Sequence, residues 1–170
     1  MEFRVGERVV YPNHGVGIIE EVTRRPVNGA PEEFYMLRIH SNGSLVMVPT
    51  TNVESVGLRR IIKRSQLDRL FKLLEEDFFE PEADWKDRYK EHCDKMRTGS
   101  IFQVAEVLKN LVYLSFRKSL SFREKRMLDR AKQLLVTEIA TVRGVSEKAI
   151  EDSIDRTLAE AYARSVKASA

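Results

Sequence analysis

Leu58-Arg59-Arg60-Ile61-Ile62-Lys63-Arg64 marks the point at which the apolar residues of this chain change period, and its reading decides the fold. On its N-terminal side apolar and polar residues alternate, as in half-buried strands. On its C-terminal side apolar residues recur every three or four positions, as on one face of a helix. The segment therefore divides an α+β chain into two domains, residues 1–60 and residues 65–170. Its cations Arg59, Arg60, Lys63 and Arg64 either line a nucleic-acid channel or form a solvated linker.

Working back from the boundary, Glu7 to Pro12, Gly15 to Val22, Phe34 to His40 and Leu45 to Pro49 read as strands, and Val53 to Leu58 as a closing fifth. Asn42-Gly43 is the strongest hairpin signal, because both residue types tolerate positive φ. Pro26-Val27-Asn28-Gly29-Ala30-Pro31 reads as a loop. Strands this short and regularly spaced predict a small twisted barrel of the SH3 or Tudor type. Such barrels bind protein chains or nucleic acids, and the fold does not choose between them.

Working forward, Leu67, Leu70, Phe71, Leu74 and Phe78 form one helical stripe, which Pro81 ends. A second helix runs from Trp85 to about Arg97, with Asp84 as its cap and Gly99 beyond its end. Ser100-Ile101-Phe102-Gln103 and Ser121-Phe122-Arg123-Glu124 have the spacing of capping boxes and open two more. Ser146 caps a last helix after Gly144, and Ser165 to Ala170 is expected to fray. Short amphipathic helices with brief connections predict a compact bundle.

The chain has 170 residues, 42% hydrophobic and 32% charged, as in ordinary globular proteins. No apolar run approaches the roughly 20 residues of a membrane helix, and the N-terminus lacks the pattern of a signal peptide. A cytoplasmic monomer that uses no cofactor or metal is expected. The lone Cys93 cannot form an internal disulfide. Phosphate-cradling loops and nucleophile elbows are missing, since His14-Gly15-Val16-Gly17 lacks the third glycine and the strand-to-helix context. His14, His40 and His92 are far apart, so nothing argues for an enzyme.

Charge is distributed unevenly. The chain carries +3 overall, yet residues 99–142 hold eight Lys and Arg against four Asp and Glu. Arg123, Arg126 and Arg130 repeat at i, i+3, i+7 and share a helix face, with Arg117, Lys118, Lys125 and Lys132 beside them. This block is either a phosphate-binding surface or a solvated face partly neutralised by Glu124 and Asp129. Glu80-Pro81-Glu82-Ala83-Asp84-Trp85-Lys86-Asp87-Arg88-Tyr89-Lys90 has a similar duality. Trp85, Tyr89, Cys93 and Met96 have core-stripe spacing, but a ring at a helix tip with cations behind it can also wedge against bases.

Taken together, these residues resemble the CarD/CdnL family of bacterial transcription regulators over about residues 1–142. The resemblance rests on Phe3-Arg4-Val5-Gly6-Glu7-Arg8-Val9-Val10-Tyr11-Pro12-Asn13-His14-Gly15, on Trp85-Lys86-Asp87-Arg88-Tyr89-Lys90, and on Leu120-Ser121 with Glu124-Lys125-Arg126-Met127-Leu128. It implies a Tudor-like domain that docks on the β subunit of bacterial RNA polymerase, related to a domain of the transcription-repair coupling factor. Arg25, Leu37, Met47 and Pro49 fall on the polymerase-facing positions. It also implies a helical domain that holds promoter DNA at the upstream edge of the bubble, without strong sequence preference. There Trp85 wedges into the minor groove. Lys86, Arg88, Lys90, Arg123, Lys125, Arg126 and Arg130 are candidate DNA contacts, and the protein would be nucleoid-associated through the polymerase. Asp87 and Met47 stand where some relatives carry basic residues, and residues 143–170 form an extra helix to which no role is assigned. The alternative is an adaptor whose two domains both bind proteins, without direct DNA contact.

Overall fold

Strands β1 (Arg8–Tyr11), β2 (Gly15–Val27), β3 (Ala30–Ile39) and β4 (Leu45–Pro49), a short helix α1 (Val53–Val56) and strand β5 (Arg59–Arg60) build the N-terminal unit. The strands form one antiparallel sheet in the order β4-β3-β2-β1-β5. The computed structural model describes residues 2–78 and 85–169. The chain divides into two compact units, Met1–Ile61 and Ile62–Ala170.

Alternation places Ile19, Tyr35, Leu37, Ile39 and Val48 on one face of the sheet, where they pack with Phe3, Val9, Val53 and Leu58. The register of β2 against β3 shifts between Ile19 and Glu21, a bulge that lets the long ribbon twist.

Two expectations for this unit are corrected. The segment from Pro26 to Pro31 is not an open loop, because β2 and β3 run on to a two-residue turn at Asn28-Gly29, with φ of 52° and 80°. Both positive angles are what a type I′ hairpin requires. Pro26 and Pro31 face each other one step back from the turn, a non-hydrogen-bonded pair at which the missing N–H costs no ladder bond. The Asn42-Gly43 connection is wider, and there the left-handed residue is Gly43 alone, at φ 69°.

The closing strand also differs. Val53–Val56 is helical, Leu58 inserts into the core, and Arg59–Arg60 is the strand that pairs with β1. Arg59 and Arg60 thus belong to the sheet, whereas Lys63 and Arg64 are exposed. Arg60 Nε lies 3.1 Å from Glu7 Oε2. Ile62 is buried in the helical unit, where its N–H donates to Glu138 Oε2 at 2.9 Å.

The helical unit contains α2 (Leu67–Glu75), α3 (Trp85–Arg97), α4 (Ile101–Arg117), α5 (Phe122–Arg143) and α6 (Glu147–Ser169). Leu70, Leu74, Leu108, Leu111, Leu135, Ile139, Ile154 and Leu158 form its fully buried centre. Each such side chain contributes about 1.5–3 kcal/mol. Helix α6 belongs to this core and does not merely cover it, and it stays helical to Ser169 where fraying was expected. Ser165 accounts for part of this, since its Oγ accepts the N–H of Phe78 at 3.1 Å.

Ser100 is the N-cap of α4 but makes no side-chain cap bond. Lys109 sits on the buried face of α4 and donates to Leu73 O and Glu76 O at 2.8 and 2.7 Å, closing the end of α2. Burial pulls its ammonium below the ordinary lysine range. The expected break at Pro81 and cap at Asp84 lie outside the described residues. Among the described residues no helix is long and apolar enough to cross a membrane.

Candidate functional site

Ser121 begins α5 with both bonds of a capping box. Its Oγ accepts the N–H of Glu124 at 3.2 Å, and Glu124 Oε1 accepts the N–H of Ser121 at 3.4 Å. The other carboxylate oxygen, Oε2, accepts from Arg88 Nη2 at 3.0 Å. One side chain therefore starts α5 and ties it to the first turns of α3. Burial works against the charge on Glu124, but the Arg88 hydrogen bond and the Ser121 amide outweigh it and hold the carboxyl below its usual range.

A second contact joins the same helices. The Arg123 guanidinium lies over the Tyr89 ring, 4.8 Å from its centroid. Around these two ties, Lys86 and Lys90 of α3 and Arg123, Lys125, Arg126 and Arg130 of α5 are all exposed. Among the described residues Lys125, Arg126 and Arg130 make no ion pair. Lys132 differs, being held by Asp155 at 2.8 Å and Glu151 at 3.7 Å on α6. The result is a group of exposed cations around the corner where Glu124 and Arg123 tie α5 to α3, an arrangement that can hold phosphates.

Arg88 requires a correction. Its side chain is 4% exposed and engaged with Glu124, so it does not face a phosphate. It positions the two helices. The expected stripe of Trp85, Tyr89, Cys93 and Met96 is likewise displaced by one step from Tyr89 on, because among the described side chains of α3 Arg88, His92 and Met96 are buried, while Tyr89 and Cys93 are half-buried. Burial, together with the nearby Lys95 charge, lowers the His92 pKa to about 4. The ring is thus neutral at physiological pH, with Asn110 Nδ2 3.4 Å from its Nε2. Trp85 is the first residue of α3, and its side chain lies outside the described residues.

In the sheet unit, Arg25, Met47 and Pro49 lie on the side of the sheet opposite Leu37, with the exposed Leu45 and with Phe34 and Met36, which are themselves buried, as the pairs Phe34–Pro49, Met36–Met47 and Arg25–Glu32 require. Ile18, Leu45 and Met47 are 39%, 45% and 39% exposed and make this face apolar. Leu37 does not join them. It points to the opposite face and is fully buried, so its side chain supports the sheet and meets no partner.

Gly17, part of the lone G-x-G, has a packing reason. A Cβ there would stand 2.7 Å from Leu37 Cδ1 and 2.8 Å from Arg38 O. Among the described residues no three His, Cys, Asp or Glu side chains gather where a metal could sit.

Phe122 and Tyr89, which are not among the candidates the sequence suggests, lie at the α3–α5 corner beside the guanidinium groups of Arg126 and Arg123. Their signal was sequence adjacency, Phe122 beside Arg123 in the cap and Tyr89 one residue after Arg88.

Comparison with known proteins extends this picture. Residues 3–62 match the family model described as CarD-like/TRCF RID domain, and residues 69–155 match that of CarD, C-terminal domain. The second match runs past residue 142, where the resemblance in the sequence stopped, and includes Ile150 and Ile154 of α6. "Putative transcription factor YdeB" of Bacillus subtilis (strain 168) is 32% identical over 149 residues, covering 88% of this chain and 97% of that protein. The solution structure of the 72-residue N-terminal domain of Myxococcus xanthus CarD is 37% identical, covering 35% of this chain and 79% of that one, with a TM-score of 0.31. CdnLNt from the same organism is 44% identical, covering 36% and 87%, with a TM-score of 0.32.

Proposed function

Because this chain belongs to the CarD-like family of transcription factors, we propose that it docks on the β subunit of bacterial RNA polymerase and stabilises the promoter open complex. The outer face of the sheet, with Met47, Pro49 and Arg25, meets the polymerase, and the exposed Ile18 and Leu45 beside them suit an apolar protein contact. In the helical unit Lys86, Lys90, Arg123, Lys125, Arg126 and Arg130 hold phosphates, and Trp85 enters the minor groove at the upstream edge of the bubble. The protein acts in the bacterial cytoplasm, without catalysis and without a cofactor.

The observation that carries this reading is the joining of α3 to α5 through Glu124. It gathers cations from both helices behind the residue that opens α3. Partly unstacking a base step costs a few kcal/mol in intact duplex and least where strands already part, so a wedge favours the melted form. Binding that form better than the closed one shifts the equilibrium by no more than the difference in affinity. Weak DNA contacts suffice, because docking on the polymerase makes the second contact effectively intramolecular.

The test is site-specific crosslinking from Lys125 in the complex with polymerase and promoter. A salt-sensitive crosslink to upstream DNA is expected. Crosslinks to protein alone would favour an adaptor without DNA contact.

A further inference from the structure

Phe122 is 74% exposed, more than any other large hydrophobic residue described, and it lies among the cations of the site. The fold gives no reason for it. A phenylalanine in the first turn of an exposed helix adds no propensity over smaller or charged residues. The residue that packs beneath this helix start is Leu120, at 8% exposure.

The ring is nevertheless held in place. Its backbone is fixed between the Ser121–Glu124 capping bonds and the Arg88–Glu124 pair. The Arg126 guanidinium, one turn on, lies 5.7 Å from the ring centroid, leaving most of the ring open to solvent. Arg123 and Lys125 stand in the same first turn of α5 and are exposed, and the charge of Glu124 is paired with Arg88. A flat apolar surface inside a cationic rim matches a ligand that pairs flat rings with phosphates. A base inside an intact duplex cannot reach such a ring, whereas an unpaired base can stack on it.

We infer that Phe122 is a second aromatic contact of the helical unit, stacking on an unpaired base of single-stranded or forked DNA while Arg126 and its neighbours hold the adjoining phosphates. This rests on the nucleic-acid reading of the helical unit. It adds a preference for strand over duplex that cations alone do not supply.

The test uses the full chain and three labelled DNAs of matched sequence: a blunt duplex, a fork with unpaired arms, and a single strand. Wild type, Phe122→Ala and Phe122→Trp are compared at one salt concentration by fluorescence anisotropy. Phe122→Ala is expected to bind fork and strand about tenfold more weakly, the size of one lost stack, and the blunt duplex nearly as well as wild type. Phe122→Trp is expected to restore the preference. An equal effect of Phe122→Ala on all three DNAs, or none on the fork, overturns the inference while leaving DNA binding intact. A loss confined to a protein partner also overturns it. Failure of wild type to bind any of the DNAs, whether free or docked on polymerase, removes the nucleic-acid reading itself.

Discussion

Arg88 and Glu124 lie 36 residues apart in sequence and meet at 3.0 Å, with side chains only 4% and 12% exposed. The pair ties α3 to α5, the two helices that carry the exposed cations. Removing one partner leaves the other charge buried and uncompensated. Arg88→Met is therefore expected to destabilise the helical unit by about 3 kcal/mol in denaturant unfolding. Lys125→Glu, on the exposed rim, is expected to change stability by less than about 0.5 kcal/mol. Equal effects of the two would show that the pair has no special structural role.

Arg126→Glu addresses the rim itself. Each phosphate contact releases a counterion, so the slope of log K against log salt is expected to shallow by about 1 in a DNA titration. An unmoved slope would mean that Arg126 meets no phosphate.

His92 makes the same region sensitive to acid. Its folded pKa of about 4 lies below the ordinary 6.5. Between those values the unfolded chain binds more protons, so stability rises with pH there. The stabilisation is complete above about pH 6.5 and is lost as pH falls towards 4, on the order of 3 kcal/mol over the window. Protonation would also turn the acceptor facing Asn110 into a donor. The check is denaturant unfolding from pH 7.5 to 4.5, in which His92→Gln should flatten the profile.

Gly17 tests the packing of the sheet. An added methyl meets Arg38 O, a backbone atom that cannot turn away. Gly17→Ala is expected to cost about 1–3 kcal/mol, read as a lowered melting temperature.

Much of this molecule was legible in the sequence because period is a strong signal. The change at Leu58 to Arg64 separated strands from helices, and the Ser121–Glu124 spacing announced a cap that both bonds complete. The Asn28-Gly29 turn was hidden by its flanking prolines, which look like loop residues until their pairing is known. Arg88 and His92 were illegible for a related reason. Hydrophobicity cannot show that a charged and a polar side chain will be buried when their partner, Glu124 for Arg88, comes from a distant helix. Leu37 was assigned to a surface by position in a family, whereas the alternation of β3 turns it inward. Local pattern located the elements, and only tertiary pairing showed which faces they present.

The most direct test of the central claim is the lifetime of the polymerase–promoter open complex, followed after competitor challenge with wild-type protein and with Trp85→Ala. The account predicts a shorter lifetime for the variant, with its affinity for polymerase unchanged. A folded Trp85→Ala protein that binds polymerase normally and sustains the wild-type lifetime would contradict it.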